Sequence, residues 1–135
     1  MNLSNLHMFF LSCGKMIKTD GIRRFNRYVL DMVRRNRVII INDERGMVAV
    51  LFYFLTDDVS RFKNRPMFSK IDDQDSGSIL YIDMLVGRKW TKSVREALQE
   101  AIETKYPEVM EAHWLREPKN RNVIIKRRRE LCHTP

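Results

Sequence analysis

The run Met47–Thr56, MVAVLFYFLT, holds ten residues without a charge, a proline or a glycine. Val48, Val50, Phe52 and Phe54 alternate with Met47, Ala49, Leu51, Tyr53 and Leu55, so an extended chain here is apolar on both faces. β-Branched and aromatic residues in such density predict a strand. A strand with no polar face has to be covered on both sides. RVIIIN (Arg37–Asn42) has the same character, and Asp43-Glu44-Arg45-Gly46 between the two runs predicts a tight hairpin turn. The chain therefore needs a sheet with helices on its faces.

Segments with helical period supply those covers. Leu6, Phe9, Phe10 and Cys13 form an apolar stripe that predicts a helix over Leu3 to Ile17. Thr19-Asp20-Gly21 breaks it and offers N-cap residues for a second helix running to about Arg35. In that helix Ile22, Phe25, Val29, Met32 and Val33 read as the buried face, while Arg23, Arg24, Arg27, Arg34 and Arg35 crowd the remainder. Residues 57–78 are polar and turn-rich, and predict a flexible loop. A third strand (GSILYIDMLV), a short loop (GRKW) and a capped amphipathic helix (Thr91–Tyr106) follow, with Pro107 closing the helix. Two last strands, around EAHWL and VIIKRR, flank the turn EPKNRN. The order α-α-β-β-loop-β-α-β-β predicts an α+β domain with a mixed, mostly antiparallel sheet of five to six strands.

At 135 residues this is one domain, residues 1–135, large enough to bury a core without disulfides or metal. No run of 18 apolar residues predicts a membrane span. Cys13 and Cys132 stand near opposite ends and predict free thiols in a reducing, cytoplasmic setting. Cys132-His133 has no second Cys/His pair at ligand spacing, which argues against a metal. The net charge of +8 is uneven: Lys15–Arg37 carries eight basic and two acidic residues, and Ala112–Glu130 seven and two. Merged on one face, the second-helix arginines and Lys126, Arg127, Arg128 and Arg129 would attract nucleic acid or an acidic protein.

The strand–loop–helix from Gly77 to Tyr106 is the first candidate site. A helix N-terminus presents free N–H groups and a positive dipole end to an anion. Arg88, Lys89 and Lys92 add positive charge there, and Thr91 and Ser93 add hydroxyl groups. On the strand, Asp83 alternates with Ile79, Tyr81 and Leu85, placing a carboxylate on a face expected to be buried. Such a carboxylate suits general base work, Tyr81 on the same face suits a general acid, and His113 on the next strand is a second base candidate.

This order of elements resembles the Gcn5-related N-acetyltransferase (GNAT) fold from about Thr19 to Arg128, in the manner of small divergent members carried by phages and prophages. In that family the strand–loop–helix binds the pyrophosphate of acetyl-CoA through a basic-x-x-Gly-x-Gly/Ala turn opening the helix. Aligning the helix on Val94, Leu98, Ala101 and Ile102 places the basic-Gly-x-Gly positions on Trp90, Thr91, Lys92 and Ser93, with Leu85 at the strand end. Moving the alignment by two residues puts Arg88 at the basic position, and no glycine falls at the glycine positions in either case. The resemblance implies an acyl-CoA-dependent N-acyltransferase holding acetyl-CoA or another acyl-CoA through Leu85, Val86, Gly87, Arg88, Lys89, Trp90, Thr91, Lys92 and Ser93. Asp83, Tyr81 and His113 would then handle protons. The alternative is a non-enzymatic module on the same fold, cytoplasmic or virion-associated, that uses its basic surface to bind nucleic acid or an acidic partner.

Overall fold

A computed structural model of the protein describes residues 2–14, 21–57, 77–116 and 121–126. Most of the expected flexible loop, Arg127–Arg129 and Cys132-His133 lie outside the described residues. The described elements run α1 (Leu3–Ser12), α2 (Ile22–Arg34), β1 (Val38–Asp43), β2 (Gly46–Thr56), β3 (Ile79–Gly87), α3 (Lys92–Lys105), β4 (Glu111–Arg116) and β5 (Arg121–Lys126). The strands form one mixed sheet in the order β1-β2-β3-β4-β5. Only β3 and β4 pair in parallel, through the α3 crossover; the other neighbours are antiparallel.

The doubly apolar β2 sits inside the sheet with Ala49 to Thr56 all buried. Val50, Phe52 and Phe54 face α1 and α2, packing with Leu6, Phe9, Phe10, Phe25, Tyr28, Val29 and Met32. Leu51, Tyr53 and Leu55 face the other way, toward Leu98 of α3. Period-2 alternation in one strand thus builds two cores, one on each side of the sheet. β1 and β2 join through Glu44-Arg45, with the Arg45 N–H donating to the Asp43 carboxylate at 2.7 Å.

Two helical expectations are corrected. α1 ends at Ser12 instead of reaching Ile17: Cys13 caps it and Gly14 takes φ of +76°, a left-handed conformation that stops the helix. In α2, Val33 is 42% exposed whereas Tyr28 is buried. At about 100° per residue, the buried face centres between Phe25 and Met32; Tyr28 lies about 50° from that centre and Val33 about 90°. The wheel position, not the hydrophobicity of the side chain, decides.

The ends of the 57–78 segment are held together. The Asp57 carboxylate accepts hydrogen bonds from Ser78 N–H at 2.9 Å and Ser78 Oγ at 3.0 Å. Gly77 lies against the Thr56 backbone so closely that an added Cβ would come within 2.6 Å of Thr56 Cα. Among the described residues, no helix is long and apolar enough to cross a membrane.

Candidate active site at the β3–β4 junction

β3 has two kinds of neighbourhood along its length. Ile79 to Ile82 pair with β2 on one side and with Glu111 to Trp114 of β4 on the other. The β3–β4 ladder ends at Ile82↔Trp114, although β3 continues to Gly87 and β4 to Arg116. Beyond that rung β3 and β4 form no further pairs, and among the described residues Met84–Gly87 pair with β2 alone.

A bulge marks the same point. Phe52 pairs with Met84 and Tyr53 with Ile82, which leaves Asp83 as the extra residue on β3. A bulge increases local twist and re-aims the chain. It also reverses the alternation. Tyr81, Met84 and Val86 belong to the α1–α2 core, while Leu80, Ile82 and Leu85 belong to the α3 core. The expectation that Asp83 shares one face with both Tyr81 and Leu85 is corrected accordingly: Leu85 lies on the opposite face from Tyr81. Asp83 is half-buried and accepts a hydrogen bond from the Tyr28 hydroxyl of α2, which fixes its carboxylate on the α1–α2 side.

His113 comes to the same neighbourhood through the parallel ladder, because its Cα partner is Tyr81 and paired residues share a face. His113 is buried, with 5% of its surface exposed. Its Nε2 lies 2.8 Å from Glu111 Oε2, two residues back on the same face. Donation from Nε2–H to that carboxylate leaves Nδ1 as the ring's lone-pair nitrogen. Nδ1 is buried and has no hydrogen-bond partner among the described residues. The candidates Tyr81, Asp83 and His113 therefore converge on one face of the sheet, next to the point where β3 and β4 separate.

The loop candidates disperse more. Gly87 is covered by the Trp90 indole, whose ring would lie 2.6 Å from a Cβ at that position. Arg88 continues the ladder, its N–H donating to Val48 O at 3.0 Å. Its guanidinium turns toward α1, 3.4 Å from Ser12 Oγ and 5.6 Å from the centre of the Phe9 ring. Thr91 caps α3, its Oγ1 accepting from Val94 N–H at 3.3 Å and standing 3.1 Å from Ser93 Oγ. Lys92 is exposed and within 3.8 Å of Glu96, while Lys89 is exposed. Lys89 and Lys92 are thus exposed around the start of α3, while the Arg88 guanidinium turns toward α1. Leu85 is half-buried and Val86 buried.

Sequence reasoning missed Tyr28 and Glu111 as partners of the site. It also missed a polar clasp where the end of α2 meets the end of α3. There the buried Arg37 donates to the Tyr106 hydroxyl at 3.2 Å, and Lys105 Nζ donates to Asn36 Oδ1 at 2.9 Å. Tyr53 and Tyr106 each donate toward Asn36 O at 3.3 Å. Burial, and then the adjacent Arg37 charge, lower the pKa of Lys105. The clasp lies on the α3 side of the sheet and away from the candidate site.

No protein-family model matches the chain, and no curated protein matches it. Among the described residues no group of three or more His, Cys, Asp or Glu side chains is placed to hold a metal.

Proposed function

We propose that the protein is a GNAT-like N-acyltransferase that takes an acyl-CoA at the parting of β3 and β4 and transfers the acyl group to an amine. The observation that carries this reading is the early end of the β3–β4 ladder: among the described residues, no strand pairs with Met84–Gly87 on the side away from β2. An extended, amide-bearing pantetheine arm can add to such an edge as a peptide does. The helix crossover between the parted strands brings the N-terminus of α3 to the same end of the sheet, where Lys89 and Lys92 suit a pyrophosphate. The residues fit this group with one reservation of shape: Trp90 occupies the space over Gly87, so the phosphates would meet side-chain cations and the first turn of α3 instead of a glycine-lined wrap.

The bound thioester would supply an acyl carbon open to attack. The chain's own groups supply proton transfer. His113 Nδ1 accepts the proton that the acceptor amine releases, and Glu111, holding Nε2–H, orients the imidazole with its lone pair on Nδ1. Tyr81 is the candidate donor to the departing thiolate, and Asp83, anchored by Tyr28, is the extra residue of the bulge beside the end of the β3–β4 ladder. Glu111 and Tyr28 act as positioning residues.

Isothermal titration of the full chain with acetyl-CoA tests the proposal. Binding in the micromolar to millimolar range is expected. Lys89→Glu together with Lys92→Glu should weaken it at least about tenfold, since charge-assisted contacts to phosphate are worth about 1.5–3 kcal/mol each. No heat and no thermal shift at millimolar acetyl-CoA would end this reading.

A further inference from the structure

α2 buries Phe25, Tyr28, Val29 and Met32, and this fixes what its other side presents. Arg23, Arg24, Arg27, Arg34 and the C-capping Arg35 are all exposed. The segment 22–35 holds five arginines, no lysine and one acidic residue, Asp31, for a net charge of +4. Asp31 pairs with Arg35 at 3.3 Å. No acidic side chain among the described residues pairs with Arg23, Arg24, Arg27 or Arg34. Helical geometry puts Arg23, Arg27 and Arg34 within about 40° of one another in a row about 17 Å long, with Arg24 and Arg35 along one margin. The helix that carries the row is held in place because its opposite side is packed into the α1–α2 core.

We infer that the outer face of α2 is a docking surface for the phosphate backbone of a nucleic-acid duplex, without base readout. The inference is independent of the acyltransferase reading. Arginine is the residue whose planar fork grips a phosphate with two parallel hydrogen bonds, and a solubilising surface has no need to use arginine throughout. A linear row of like charge complements a uniform polyanion. An acidic protein partner would call for an apolar or aromatic anchor at the centre of the contact. This face offers none larger than Leu30, because Phe25 and Tyr28 point inward. The same lack of exposed aromatic rings disfavours single strands, whose bases stack on such platforms.

The test is fluorescence anisotropy of a labelled 20-base-pair DNA titrated with the full chain, without acyl-CoA, across a salt series. Binding should be micromolar at low salt and fall with a log–log slope of about −2 to −4, as expected for two to four neutralised phosphates. Two DNAs of unrelated sequence should bind equally. The triple variant Arg23→Glu, Arg27→Glu, Arg34→Glu should lose at least about tenfold while keeping the wild-type melting temperature within a few degrees. A control reversing Lys89, Lys92 and Arg95 to Glu makes the same change in net charge on the α3 side and should retain most of the binding. Three outcomes would overturn the inference: no binding at low salt, equal losses in the two triple variants, or polyglutamate competing as well as DNA, which would make the face a site for acidic protein.

Discussion

The two halves of β3 belong to one strand and live in different surroundings. Ile79 to Ile82 have strands on both sides and cores on both faces, with Leu80, Tyr81 and Ile82 buried. Among the described residues, Met84 to Gly87 pair with β2 alone, and Asp83, Met84 and Leu85 are half-buried. The single extra residue at Asp83 stands at the border. The first half is framework held by packing; the second, among the described residues, has a backbone edge with no strand along it. A strand edge left open inside a sheet, rather than at its rim, is where a ligand can replace a strand.

This contrast predicts a gradient of mutational cost along the strand. The largest effect belongs to the paired half. Leu80→Ala removes a fully buried side chain and should destabilise the fold by about 3 kcal/mol, read from chemical denaturation. Gly77→Ala just before it should cost at least about 2 kcal/mol, because the new Cβ meets immovable Thr56 backbone. Comparable losses from the second half of the strand would break the comparison.

At the border the cost should be smaller and specific. Tyr28→Phe removes the hydrogen bond that holds Asp83 and should cost about 1–2 kcal/mol in stability. It should also lower acyl transfer more than it lowers acyl-CoA affinity. A loss confined to stability would sharpen the comparison by making the bulge purely structural.

Within the open half, Gly87→Ala provides the counterpart to Gly77→Ala. Here the Cβ meets the Trp90 side chain, which is 44% exposed and free to swing. The stability cost should stay below about 1 kcal/mol, while acyl-CoA binding changes because the indole moves.

Outside the strand, the Lys105 clasp gives the smallest effect, and its sign follows from linkage. The folded state holds the Lys105 proton less tightly than the unfolded chain does. The folded protein therefore gains stability as pH rises through the lowered value toward the ordinary 10.5, and Lys105→Gln should flatten that rise. Melting temperatures of the two proteins across the alkaline range check it.

Much of this framework is legible in the residues. MVAVLFYFLT cannot be satisfied except between two covered faces, and Thr91 ahead of Val94 and Leu98 announces the start of α3. The site is less legible, because it depends on register. GSILYIDMLV reads as an unbroken strand, and nothing in the identity of Asp83 says that it is an extra residue. A period-2 reading therefore carries Leu85 to the wrong face. Glu111 and His113 share a face by simple alternation, yet only the parallel pairing of Tyr81 with His113 brings them beside Asp83. Tyr28 is hidden by a ranking that prefers aliphatic Val33, where position on the helix favours the tyrosine.

The central claim is that the second half of β3, beyond the end of the β3–β4 ladder, receives the acyl donor. Backbone amide shifts of the ¹⁵N-labelled chain, followed while coenzyme A is added, test it most directly. The account predicts saturable changes concentrated in Asp83–Gly87 and in Lys89–Ser93 at the start of α3, with Ile79–Ile82 unchanged. Changes spread evenly over both halves of β3, or none there at millimolar coenzyme A, would contradict it.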